Sequence, residues 1–248
     1  MKVLQLTGIR PAVAARITPF FEDMLKHYSN NIHSLHLAGS AITPDYQERI
    51  SDINSLIVLK EMDFAFLRFL ASIGSKYKKK NIAAPLIMTS FYIQSSLDVF
   101  PIEFFDLRLI HKTVYGEDLL RGLVIDKRHL RLQCEREVKT KLVGLRQGYV
   151  ATLENKHLLV EKLSLSITGY MPLFRAIIYL LGKEPPIPKY EVIDKLCEIV
   201  DVETDIFKKM LMLKQKKITL SKEDIATSFE HYYSATERIG AIIEQLQP

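Results

Sequence analysis

Apolar residues recur along this chain at two different spacings, and the change from one to the other divides it. Behind Pro11, Val13, Ile17, Phe20, Phe21, Met24 and Leu25 return every three or four positions, which predicts a helix from Pro11 to about Tyr28. Short apolar runs follow. Ser34–Ala38, ending at Gly39, and Ile53–Leu59, rich in Ile, Leu and Val, read as strands with a polar loop between them. Phe64–Ile73 returns to the helical spacing, and Pro85–Met88 and Pro101–Leu107 read as a third and a fourth strand. Past about Asp126 the strand signals stop. Long helical patterns run over 130–153, 157–181, 190–200, 206–213 and 222–246, broken by the three prolines of Lys183-Glu-Pro-Pro-Ile-Pro188, which forbid helix continuation. The expected class is α+β: a mixed sheet with flanking helices over residues 1–125, then an all-α bundle over 126–248.

The polar loop between the first two strands holds the candidate chemistry. It begins Gly39-Ser40 at a strand end and closes with Ser51-Asp52-Ile53-Asn54 opening the next strand. Residues i and i+2 of a strand share a face, so Asp52 and Asn54 can present two oxygen ligands to one metal ion. Glycine lets backbone approach a phosphate closely, and the Ser40 hydroxyl can bond its oxygens. This order resembles the signature of the nucleotidyltransferase (polymerase-beta-like) superfamily, in which Gly-Ser precedes Asp-x-Asp on a strand. Small members such as the aminoglycoside nucleotidyltransferases also carry a helical C-terminal domain.

The resemblance implies a third carboxylate on a neighbouring strand, and Glu103 in Ile102-Glu-Phe-Phe-Asp-Leu107 takes that place, with Asp106 the weaker candidate. His111–Leu120 resembles the segment that follows this strand in small members. The implied site is Asp52, Asn54 and Glu103 around Mg²⁺, with Asp52 and Glu103 catalytic and Gly39 and Ser40 on the triphosphate of ATP or another NTP. The implied reaction is transfer of a nucleoside monophosphate to an acceptor hydroxyl that the sequence does not identify. One residue departs from the pattern. Asn54 stands where the family has its second aspartate and offers a neutral carbonyl oxygen, which weakens a Mg²⁺ site. An inactive nucleotide-binding regulator or a protein-interaction module is therefore the alternative. Asp45 and Glu48, in the preceding loop, are candidates to fill the missing ligand position.

Composition narrows the remaining choices. With 248 residues and 48% hydrophobic content the chain can bury a sizeable core, and no run approaches the roughly 20 apolar residues of a membrane span. No signal-peptide pattern opens it, so an unprocessed cytoplasmic protein is expected. The net charge of +5 suits an anionic ligand. However, Lys78-Lys79-Lys80 and Lys214-Gln-Lys-Lys217 lack interleaved aromatics, and a nucleic-acid partner is not expected. Cys134 and Cys197 lack the spacing of a zinc site and read as free thiols. The histidines, His33, His36 and His111 among them, show no metal-ligand spacing either, so no zinc site is expected. Arg131, Lys139 and Arg146 are candidates to reach a phosphate, and the helical half offers a surface for self-association.

Overall fold

Proline at its first position starts α1 (Pro11–Tyr28), which buries Val13, Ile17, Phe20, Phe21 and Met24 along one stripe. Beside it lies α2 (Phe64–Lys78), capped by Asp63, whose carboxylate accepts a hydrogen bond from the Ala65 amide at 2.7 Å. The two helices are tied by the Tyr77 hydroxyl, which donates to the Pro19 carbonyl at 3.0 Å and contacts the Asp23 carboxylate. The computed structural model describes residues 3–247, apart from 49, 154, 201, 222 and 223.

Four strands form one sheet: β1 (Ile32–Ala38), β2 (Asn54–Leu59), β3 (Leu86–Thr89) and β4 (His111–Gly116), in the order β3-β2-β1-β4. β1 runs antiparallel to both β2 and β4, and β2 runs parallel to β3. Leu35 and Leu37 of β1 join Ile57 and Leu59 of β2 in the core that holds α1 and α2. Strand alternation turns Ser34, His36 and Ala38 to the opposite face, together with Asn54, Leu56, His111 and Thr113 from the paired registers. This second face is the polar one.

The expected fourth strand at 101–107 is a helix, α4 (Pro101–Leu109). The segment Pro-Ile-Glu-Phe begins like an alternating strand, but Phe104-Phe105 breaks the alternation, and Ile102, Phe105 and Leu109 recur at helical spacing. Pro101 at its start and Glu103 in its first turn suit a helix N-terminus. The fourth strand lies instead at His111–Gly116, where no strand was expected, and a short helix α3 (Ser90–Ser95), capped by Thr89, also went unread.

The helical half holds α5 (Lys127–Val150), α6 (Lys156–Ser166), α7 (Tyr170–Leu180), α8 (Lys189–Ile199), α9 (Asp205–Lys214) and α10 (Asp224–Gln245). Positions 222 and 223, where the sequence pattern starts the last helix, lie outside the described residues. The expected single helix over 157–181 is two, because Gly169 takes φ = 81° ahead of Tyr170. Tyr170, Phe174, Phe207 and Tyr232 fill the bundle core with ring centroids 4.9–5.6 Å apart. Buried Arg175 donates to the carbonyls of Pro186 and Ile187 and so anchors the proline-rich connection. Among the described residues no single helix is long and apolar enough to cross a membrane; α6 and α7 pass together only as a pair bent by 46°.

The chain divides into two compact units: Met1–Asp98 with Phe104–Val124, and Val99–Glu103 with Ile125–Pro248. Among the described residues, the second has helices as its regular elements.

Candidate functional site

Directly after β1 the chain takes a conformation that only a residue without a Cβ adopts comfortably. Gly39 has φ = 68°, its amide meets the Ile110 carbonyl at 3.4 Å, and it opens a single 3-10 turn, Gly39–Ile42, that carries Ser40. A Cβ placed on Gly39 would lie 3.3 Å from Nδ2 of Asn54. The glycine and the asparagine are therefore immediate neighbours, as the pairing of Ala38 with Asn54 in the β1–β2 register requires.

Asp52 and Asn54 are both exposed, while Ile53 between them is fully buried and bridges to Ile82. Asp52 lies just outside β2, which begins at Asn54, so the strand register does not itself fix the face of its carboxylate. The Gly39 turn and Asn54 thus meet, and Asp52 lies two residues ahead of Asn54 in the chain. Asp52 also lines a largely apolar cavity of about 490 Å³ with Leu70, Tyr77, Ile82 and Pro85, on the side of α2. Asp45 and Glu48 lie in the loop between the 3-10 turn and Asp52, where Thr43 Oγ1 accepts from the Asp45 amide at 3.3 Å.

Glu103 does not arrive by the expected route. It sits in the first turn of α4, grouped with the helical unit, and its carboxylate accepts from Gln133 Nε2 of α5 at 2.8 Å. The strand alternation that was to turn it toward a metal is absent, and Asp106 lies on the same helix. The four strands themselves carry no aspartate or glutamate. Asp52, just ahead of β2, is the acid that the sheet brings to this edge. The basic residues considered for phosphate are engaged within the helical unit. Arg131 and Lys139 both hold Glu135, Lys139 also reaches Glu244 at 2.9 Å, and Arg146 donates to the Tyr233 hydroxyl.

Two strands along the polar face lies a network that sequence spacing does not announce. His36, fully buried, has one ring nitrogen 2.8 Å from Ser34 Oγ and the other 2.9 Å from Thr113 Oγ1. Burial is the main cause that pushes its pKa down to about 4. His111 and His33 add to the depression, and Asp118 opposes it. His36 is thus a neutral imidazole at neutral pH.

No protein-family model matches the sequence, and no curated protein matches it. Among solved structures, the chain is similar to the spectinomycin adenyltransferase of Enterococcus faecialis, solved with ATP and spectinomycin. The two share 16% sequence identity at a TM-score of 0.54, over 91% of this chain and 98% of that one. The chain has a nucleotidyltransferase-like fold. At this identity the likeness covers fold, and the Gly39–Ser40 turn and the Asp52–Asn54 edge occupy the ends of β1 and the start of β2 within it.

Proposed function

We propose that this chain binds a nucleoside triphosphate at the edge formed by Gly39, Ser40, Asp52 and Asn54. The observation that carries the reading is the close approach of a positive-φ glycine turn to exposed Asn54, with exposed Asp52 two residues ahead of it across buried Ile53. In it, the Gly39 backbone admits close approach of phosphate, and the Ser40 hydroxyl donates to a phosphate oxygen. The similar adenyltransferase, solved with ATP, supports ATP as the first nucleotide to try.

The donor set fits Mg²⁺ in company with the nucleotide. One carboxylate and one amide carbonyl are what Mg²⁺ accepts when phosphates supply further oxygens, and they are too few for an ion held by protein alone. Asp52 would hold the ion and Asn54 would complete the protein's share. When bound, the ion supplies charge neutralisation of the phosphates. Asp52 contributes the single negative charge.

Whether a nucleoside monophosphate passes to an acceptor hydroxyl is a second step. The absence of acids from the four strands and the placement of Glu103 on α4 favour a protein that binds nucleotide without turnover. Calorimetric titration with ATP and then GTP, with and without Mg²⁺, on the natural chain and on Asp52→Ala, tests the site. Mg²⁺-dependent binding that disappears in Asp52→Ala is the expected result, and no binding of either nucleotide overturns the reading. Pyrophosphate release in the presence of candidate hydroxyl acceptors would restore the transferase.

A further inference from the structure

The turn after β4 folds back on the strand's own beginning. Gly116 ends β4 with φ = 76° at a point where a Cβ would lie 2.1 Å from the His33 carbonyl oxygen, so the chain reverses tightly against β1. Two residues later Asp118 returns to His111, and its Oδ1 lies 2.8 Å from His111 Nε2. The same oxygen accepts from the amides of Leu120 and Arg121 at 3.3 and 3.2 Å. Burial works to raise the Asp118 pKa, but the hydrogen bond and charge of His111 and the Arg121 amide outweigh it and hold the carboxyl below its ordinary value. On the sheet, the register sets Ala38 opposite His111 and His36 opposite Thr113, so His36 and His111 share the polar face with rings 5.9 Å apart.

These three side chains come together from a buried strand centre, a strand start and a turn. One ligand atom from each of His36, His111 and Asp118 lies within 4.8 Å of the others. We propose that they form a binding site for one divalent transition metal of the zinc class. Two imidazole nitrogens and a carboxylate oxygen are the donors that such ions prefer, whereas Mg²⁺ prefers oxygen alone. Tetrahedral zinc sets its ligand atoms about 3.3 Å apart, so the His111–Asp118 pair, at 2.8 Å, needs to open slightly and the longer separations to close by up to about 1.5 Å, within reach of small side-chain rotations.

The surroundings fit a metal as well. His111 Nδ1 is 2.8 Å from the Leu107 carbonyl, the outer partner that orients a ligating imidazole with its other nitrogen toward the ion. His36 has a hydroxyl at each ring nitrogen, so binding through one leaves the other oriented by Ser34 or Thr113. His36 is fully buried and the His111 side chain is 7% exposed, while Asp118 at 36% gives an ion its way in. Three protein ligands leave a fourth position to solvent or a small anionic ligand. The ion would join β1, β4 and the following turn.

This site is separate from the proposed nucleotide edge and does not rest on it. Asn54 and His111 flank Ala38 on either side of β1, two strand spacings or about 10 Å apart. The test is calorimetric titration of the chelator-treated full chain with Zn²⁺ in excess Mg²⁺, alongside Asp118→Asn, His111→Gln and Asp52→Ala. One ion per chain is expected. Asp118→Asn and His111→Gln should each weaken binding at least tenfold, about the least that even outer partners contribute, and Asp52→Ala should leave it unchanged. Added Zn²⁺ should raise the melting temperature of the natural chain and not that of Asp118→Asn, which keeps the side-chain shape. Substoichiometric binding, or affinity in both ligand variants equal to that of the natural chain, would overturn the site and leave a structural His–Asp pair. Loss of binding in Asp52→Ala would overturn it as well, by placing the ion at the nucleotide edge.

Discussion

At position 54 an amide stands beside Gly39 where a carboxylate would add a second negative charge to the nucleotide edge. Asn54→Asp adds that charge without changing side-chain size, and a Mg²⁺–nucleotide complex should bind roughly tenfold more tightly, about 1.4 kcal/mol. Titration with ATP checks it, since affinity should rise with Mg²⁺ present and not without it; no gain would count against placing the ion there. A second residue-scale effect lies in the bundle core. Tyr170 is 1% exposed, and burial is the main cause that raises its hydroxyl to about 12, against which Thr236 and Tyr232 act. Because the folded-state value exceeds the unfolded one near 10, this stability is whole below pH 10 and is lost as pH climbs toward 12. The loss amounts to roughly 3 kcal/mol at most. Tyr170→Phe should be the less pH-sensitive protein in urea unfolding between pH 9 and 11, and parallel losses in both would refute the assignment. Residues of this kind differ in how legible they are. The places of Asn54 at the start of β2, Asp52 just ahead of it and the Gly39–Ser40 turn after β1 were readable because strand patterns and glycine chemistry are local. The meeting of His36, His111 and Asp118 was not, because it depends on β4 pairing with β1 and on a reversal at Gly116 that no spacing rule encodes.

Elements were legible where their periodicity is long and were lost where it is short. α1 begins and ends where the apolar stripe and Pro11 place it, and the first three strands fall within a few residues of their expected spans. The segment 101–109 went the other way. Three residues of apparent alternation were outweighed by a Pro start, an acidic first turn and apolar residues at helical spacing, so Glu103 left the sheet and with it the expected acidic strand. β4, His-Lys-Thr-Val-Tyr-Gly, has only two buried side chains and pairs at an edge, which leaves a weak sequence signal. Caps give these elements their ends. Asp63 accepts the Ala65 amide at the start of α2, the helix that carries Phe66, Leu70 and Tyr77 into the sheet core. Asp63→Ala should cost about 1 kcal/mol in urea unfolding, while Asp63→Asn or Asp63→Ser, which keep an acceptor, should cost less than half of that. Equal losses in all three would mean that the cap is not what holds the helix end.

Over the whole molecule, the composition shift near residue 125 marks where strands cease, yet the helical unit also gathers the short segment Val99–Glu103 from across that point. One glutamine ties the segment to α5. Gln133, 5% exposed on α5, accepts from the Ile102 amide through Oε1 at 2.7 Å and donates to Glu103 through Nε2 at 2.8 Å, so both ends of its amide are spent on the first turn of α4. Composition cannot reveal this, because the five residues resemble their neighbours and are recruited by a side chain some thirty positions away. A buried amide stripped of both partners costs about 1–3 kcal/mol for each group left unsatisfied. A fragment covering residues 99–248 should therefore fold with a cooperative thermal transition, and one covering 126–248, which leaves Gln133 without partners, should melt several degrees lower. Replacing Gln133 by Leu in both fragments separates lost hydrogen bonds from lost packing. The difference between the fragments should shrink if the amide is the anchor, and should persist unchanged if Ile102 acts only through its apolar contact.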